Sequence, residues 1–192
     1  ITGEGTLDGN CNNKNWWYWC GKKEFGWTFG LPNQIEDRKR LFNMAEEGIP
    51  VEERVFGLGS YLRPCFIQFY KSQNILVEGI KIINSPMWCI HPVLSKNIVI
   101  KGVTIESLGP NNDGIDIESC ENVLIEDSFL NNGDDCIVIK SGRNADGRRI
   151  GIPTKNILVR NCVMKDGHGG LVIGSEISGG AKDIIIEDSI MD

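Results

Sequence analysis

The chain has 192 residues, of which 41% are hydrophobic and 24% charged, and a formal net charge of −6. That is enough apolar chain for one domain with a sizeable core, which excludes disorder, and the acidic balance excludes a nucleic-acid binder working through overall charge. No apolar run approaches the roughly 20 residues of a membrane span, and Ile1 to Gly5 lack the basic and apolar regions of a signal peptide.

Residues 1–10 read as a strand and turn, with Asp8-Gly9-Asn10 supplying the turn chemistry. Residues 11–62 form a long excursion that opens on Trp16-Trp17-Tyr18-Trp19 and continues through Phe25, Trp27 and Phe29. Within it Asn33 and Glu36 resemble a capping box, Leu41, Met44 and Ala45 recur at helical spacing, and Gly48 with Pro50 ends the segment, so one short helix is expected. Its aromatics either stack on sugar rings or, the reading favoured for any one of them, pack the excursion onto the domain body. The seven cysteines form no Cys-x-x-Cys pair, which argues against a zinc knot or a complete disulfide framework. Buried thiols are expected instead, with a Cys11–Cys20 disulfide left open.

From residue 72 to residue 192 the chain is repetitive. Asn74, Asn97, Asn122, Asn156 and Asp183 open the same phrase at intervals of 23, 25, 34 and 27 residues, the range of a stacked repeat. Apolar residues follow at +1, +3, +6 and +8, as in Ile75, Val77, Ile80 and Ile82. Alternation with a phase slip is two short strands joined by a bend. Stacked coils of this length make an all-β right-handed parallel β-helix, with identical positions about 4.8 Å apart along the stack.

Three coils end an apolar run at a serine: Ser119, Ser141 and Ser175. Six places earlier stand Asp113, Asp135 and Gly169; seven places earlier, Asn112, Asp134 and His168. Three polar clusters thus become one patch, with His168 in line with Asp134 and Asp113 in line with Asp135. Strand parity does not set their direction, because a bend intervenes at Gly114, Cys136 and Gly170. The neighbouring glycines are expected to leave room for a ligand. Three carboxylates this close cannot all ionise freely, so at least one should hold its proton well above the ordinary range. A proton donor beside carboxylate bases is what glycoside hydrolysis uses. A calcium site or a polar ladder satisfying backbone groups is the bland alternative.

The longest repeat carries the surplus Ser141 to Gly151, a Gly-rich polar loop expected to border a cleft. Its arginines, Arg143 and Arg148 among them, suit recognition of carboxylates by forked hydrogen bonds or, equally, a solvated surface. Arg63 and His91 are weaker candidates on earlier coils, and for His91 a structural role and a ligand-binding role weigh the same.

The motifs Gly3-Glu-Gly-Thr-Leu-Asp-Gly9, Ser85-Pro-Met-Trp88, Asn112-Asp-Gly-Ile-Asp116, Gly133-Asp-Asp-Cys136 and Gly167-His-Gly169 together resemble the polygalacturonases of glycoside hydrolase family 28, most closely the bacterial members. The resemblance covers essentially the whole chain. It implies a right-handed parallel β-helix that hydrolyses α-1,4-linked galacturonic acid in pectin with inversion, needs no metal or other cofactor, and is secreted or periplasmic. It implies Asp134 as general acid, Asp113 and Asp135 as the pair that activates water, and His168 as the residue that keeps the acid protonated and oriented. Substrate contacts are expected from Asn112, Asp116, Lys140, Arg143, Arg148, Arg63 and His91. The partner is an acidic polysaccharide, with no nucleic acid and no membrane. The family's later Arg-x-Lys motif does not occur, so the 192 residues are expected to be part of a longer enzyme. The aromatic excursion could wall off one end of the cleft, which favours exo action. A rhamnogalacturonan hydrolase, a calcium-dependent pectate lyase and a non-catalytic carbohydrate-binding β-helix are the rivals.

Overall fold

A computed structural model describes residues 1–192. The chain enters through β1 (Thr6–Asp8) and leaves the body for the excursion, whose main element is α1 (Ile35–Glu46). Five coils follow. The first holds β2 (Ile67–Tyr70), β3 (Gln73–Glu78) and β4 (Lys81–Ile83), and the second β5 (Ile90–Val93), β6 (Lys96–Lys101) and β7 (Thr104–Ser107). The third holds β8 (Ile115–Glu118), β9 (Glu121–Glu126) and β10 (Phe129–Asn132). The fourth contains β11 (Ile137–Lys140), the short helix α2 (Asn144–Ile150), β12 (Thr154–Arg160) and β13 (Val163–Lys165), and the last β14 (Leu171–Ile173), β15 (Ala181–Glu187) and β16 (Ile190–Met191). Every strand pairs in parallel with its counterpart one coil away, giving three parallel sheets and the β-helix expected from the repeat; right-handed winding is the rule for such connections.

The repeat anchors carry the packing. Asn74, Asn97, Asn122, Asn156 and Asp183 all adopt left-handed φ angles, from 56° to 60°, which asparagine and aspartate tolerate better than most residues. The amides of Asn97, Asn122 and Asn156 donate to the preceding asparagine's Oδ1 at 3.1, 3.1 and 3.0 Å, so each bend is tied to the next. Inside, Ile75, Ile98, Val123, Ile157 and Ile184 share one register position, and Val77, Ile100, Ile125, Val159 and Ile186 another. Strands buried on one face at this spacing place their branched side chains directly above one another, which is the source of most of the fold's apolar burial.

The excursion is docked onto the body. The Trp17 indole N–H donates to the Ser85 carbonyl at 2.8 Å, and a Cβ on Gly109 would lie 2.3 Å from the same indole, so only glycine fits there. Trp19 packs edge-on to Tyr61, also of the excursion, with centroids 5.2 Å apart. Trp17 thus fastens the excursion to the body, while Trp19 packs within it. The helix forms where its sequence signals lie: Asn33 Oδ1 accepts the Ile35 amide at 3.0 Å and Gly48 reverses the chain at φ 75°. The Asn33 bond goes to the residue two places on, not to the Glu36 amide, and none returns from Glu36, so the expected capping box does not form.

All seven cysteines are free, with Cys89, Cys120, Cys136 and Cys162 buried in the core; the Cys11–Cys20 bond is not formed. The surplus segment, read as a loop, contains α2. Its Asp146 receives two hydrogen bonds from Arg54 of the excursion, at 2.5 and 2.9 Å, and pairs with Arg149 one turn on. An ion pair to a distant part of the chain thus favours helix in a sequence rich in glycine.

Candidate active site

The three clusters occupy the same bend on three successive coils: Asp113 lies between β7 and β8, Asp134 and Asp135 between β10 and β11, and His168 between β13 and β14. The backbone carries the register straight through the bend, since the Gly114 amide donates to the Asp135 carbonyl and the Cys136 amide to the Gly169 carbonyl, each at 2.9 Å. His168 therefore stands over Asp134, and its Nδ1 is 3.0 Å from Asp134 Oδ1. Asn111 donates to the other Asp134 oxygen at 3.3 Å. The ligand atoms of Asp134, Asp135 and His168 all fall within 4.8 Å of one another. The glycines do a different task from the one expected. A Cβ on Gly114 would lie 2.4 Å from the Cys136 carbonyl oxygen, so its lack of a side chain lets coils stack and does not open space for a ligand.

Electrostatics separates the carboxylates. Asp113 is 4% exposed, and burial, reinforced by the charge of Asp134, pushes its pKa up to about 7; Lys140 pulls in the opposite direction. Asp135 is also raised, by burial first and by Asp134 second. The folded state therefore retains a proton on Asp113 between about pH 4 and 7 that the unfolded chain gives up, so this group makes folding stability fall as pH rises through that window. Asp113→Asn is expected to flatten that fall, read as the melting temperature of variant and parent across pH 4 to 7. A parallel pair of curves would mean Asp113 ionises normally.

Below the cluster, the outer face of the sheet built from β2, β5, β8, β11 and β14 holds a buried charge group. Lys140 is 4% exposed and Asp116 fully buried. The Lys140 ammonium lies 2.8 Å from Glu176, 3.8 Å from Asp116 and 4.8 Å from the centre of the Trp88 ring. Burial pulls the Lys140 pKa down, but Glu176 and Asp116 outweigh it and the net shift is upward. Asp116 is driven well above the carboxylate range by burial and by Asp113. Both its oxygens lack hydrogen-bond partners, as does Asp113 Oδ1.

The remaining expected substrate contacts divide. Arg143 lines a cavity of about 520 Å³ together with Arg38, Phe42, Trp88, Asn111 and Glu176. Because Asn111 also bonds Asp134, that cavity opens beside the carboxylates. Arg148 is exposed on α2 and does not line this cavity, which is the solvated reading. Arg63 borders the cavity but spends its guanidinium on the Pro86 and Pro110 carbonyls, Asn111 and Gln34, at 3.1, 2.5, 2.7 and 3.3 Å, so it joins excursion to coils. His91 is held between Gln68 and Glu118 at 2.9 and 2.7 Å, and buried. Asn112 is fully buried, accepting from Ser107 at 2.6 Å and donating to the Met87 carbonyl at 3.2 Å. Asp116 and Lys140 likewise present no surface to a ligand. All five of these residues are buried, and of them only Arg63 lines the cavity. Sequence reasoning missed Glu118 and Glu176, whose only signal is an acidic residue beside the repeating serine, and Asn111. A second depression of about 480 Å³, lined by Ser72, Lys96, Ser119 and Lys155, contains none of the three carboxylates.

The model of Glycosyl hydrolases family 28 matches residues 59–192. The chain belongs to that family. Among solved structures, a hyperthermoactive exopolygalacturonase from Thermotoga maritima superimposes with a TM-score of 0.97 at 62% identity, over 98% of this chain and 43% of that one. A probable polygalacturonase of Vitis vinifera is 40% identical over 68% of this chain and 27% of its own length. An exo-poly-alpha-D-galacturonosidase of Dickeya chrysanthemi is 26% identical over 100% of this chain and 32% of its own. The chain thus spans less than half the length of these family 28 relatives. No helix is long and apolar enough to cross a membrane.

Proposed function

We propose that the chain carries the catalytic coils of a secreted polygalacturonase that hydrolyses α-1,4-galacturonosyl linkages from chain ends, with inversion. The observation that carries this is the contact of Asp134 with His168 beside two further carboxylates, Asp113 and Asp135, whose pKa values are raised. In this reading Asp134 protonates the departing glycosidic oxygen, while Asp113 and Asp135 take a proton from the attacking water on the opposite face of the ring. A carboxylate whose pKa approaches 7 is a stronger base than an ordinary one and is ionised near neutrality. In this reading His168, whose Nδ1 lies 3.0 Å from Asp134 Oδ1, keeps the acid protonated and oriented.

Exo action is supported by the excursion, which supplies Lys22, Gln34, Arg38 and Phe42 to one wall of the cavity. A calcium-dependent lyase fits less well. Calcium takes six to eight oxygen ligands, whereas the group close enough to share a cation here is two carboxylates and an imidazole. Digestion of polygalacturonate with a chelator present, followed by reducing-end measurement and product sizing, tests the reading. Saturated monogalacturonate is the expected product; an unsaturated product absorbing in the ultraviolet, loss of turnover to the chelator, or release only from rhamnogalacturonan would overturn it.

A further inference from the structure

Arg63 is 4% exposed, yet none of its four hydrogen-bond partners carries a charge. Gln34 of the excursion accepts from Nε, the Pro86 and Pro110 carbonyls accept from Nη1, and Asn111 Oδ1 accepts from Nη2. Taking a guanidinium out of water without a counter-charge is costly, so packing alone would favour an apolar side chain here. What the guanidinium supplies is direction. It has donors only, so each group it meets must turn an oxygen toward it.

That direction reaches Asp134. With Oδ1 of Asn111 committed to Arg63 at 2.7 Å, Nδ2 is left to donate to Asp134 Oδ2 at 3.3 Å. Asp134 Oδ1 accepts from the Asp135 amide at 3.1 Å and lies 3.0 Å from His168 Nδ1, whereas Oδ2 has no protein partner except Asn111. The terminal torsion of an aspartate is broad, so a carboxyl group held at one oxygen still swings about it. With the Asn111 amide reversed, two oxygens would face each other and the second anchor would be lost.

We propose that Arg63 and Asn111 are positioning residues for Asp134: Arg63 fixes which end of Asn111 faces the site, and Asn111 fixes the plane of the carboxyl group that protonates the departing oxygen. The inference rests on the hydrolase reading above. It extends that reading to the excursion, whose Gln34 is the outer end of the same chain of contacts.

Steady-state kinetics on polygalacturonate with Asn111→Ala, Asn111→Asp and Arg63→Met separates positioning from packing, after a thermal melt of each variant. Asn111 is exposed, so both of its variants should fold. Expected is a fall in kcat of about 10- to 100-fold in both, with the KM of Asn111→Ala close to that of the parent. Asn111→Asp is the discriminating change, because it still accepts from Arg63 but donates nothing to Asp134. A residue that only ties Arg63 in place would lose kcat as alanine and keep it as aspartate. Arg63→Met should lower kcat in the parent but not in the Asn111→Ala background, the non-additivity of groups that act in series. If Arg63→Met does not fold, Gln34→Leu takes its place in the same cycle. Parent-like kcat in either Asn111 variant, or equal losses in both backgrounds, would overturn the proposal. If the parent still releases galacturonate and Asp134→Asn loses turnover in that case, the hydrolase reading stands. A parent that cleaves no polygalacturonate removes both.

Discussion

Asp134→Asn is expected to lower the rate of galacturonate release by about 10²- to 10⁴-fold, the range that one positioned acid or base supplies, while substrate affinity stays close to that of the parent. The amide keeps the shape of the carboxyl group and can still meet His168 Nδ1, which lies 3.0 Å from Oδ1 in the parent, but it has no proton that it can give to a departing oxygen. A protein in which Asp134 only shaped the bend would lose stability, not turnover. Single-turnover rates and binding isotherms on the same preparation separate the two. Turnover within a few fold of the parent would remove Asp134 as the acid.

Lys140→Met is expected to be the most damaging substitution for stability at the floor of the site. The ammonium is 5% exposed and is the only cation within 4 Å of both Asp116 and Glu176. Removing one partner of a buried charge group leaves the others uncompensated, at a cost of about 3–5 kcal/mol. Groups facing Lys140 from every side set the sign of a second effect. Asp116 and Glu118 approach from β8, Glu176 from the segment after β14, and Asp113 from the bend above, all acidic, against Arg143 alone on the other side. Without the ammonium, Asp113 holds its proton to still higher pH, so the acid limb of the activity profile should move upward. Urea unfolding at pH 7 checks the first effect and rate against pH the second. Adding Glu176→Gln should recover part of the stability, because it removes one of the stranded charges. A loss of less than about 1 kcal/mol would show that water replaces the ammonium easily.

The register of the polar cluster was legible in the sequence because counting from Ser119, Ser141 and Ser175 crosses the bend with the same number of residues in each coil. The structure keeps that count through its backbone hydrogen bonds, so Asp113 meets Asp135 and Asp134 meets His168 as the ladder requires. The core was legible for the same reason: a buried β-helix strand repeats its apolar positions coil after coil. What could not be read was which polar residues are used up internally. Arg63, His91 and Asn112 look like ligands for a substrate in a linear sequence, yet each spends its polar atoms on partners 23 to 48 residues away or a few residues along the chain. Arg38 was missed in the opposite sense. Nothing in a helix of charged residues marks one guanidinium as lining the cavity until α1 packs beside it. Nor does the sequence around Asp146 announce a helix, since the arginine that favours it comes from residue 54.

The most direct measurement of the central claim is the anomeric form of the sugar first released. Followed by proton nuclear magnetic resonance during the opening minutes of polygalacturonate digestion, before mutarotation mixes the anomers, an inverting single displacement at an α linkage delivers the β anomer first. Initial appearance of the α anomer would contradict that account, because it requires a covalent sugar intermediate on one of the carboxylates assigned here to water and to the departing oxygen.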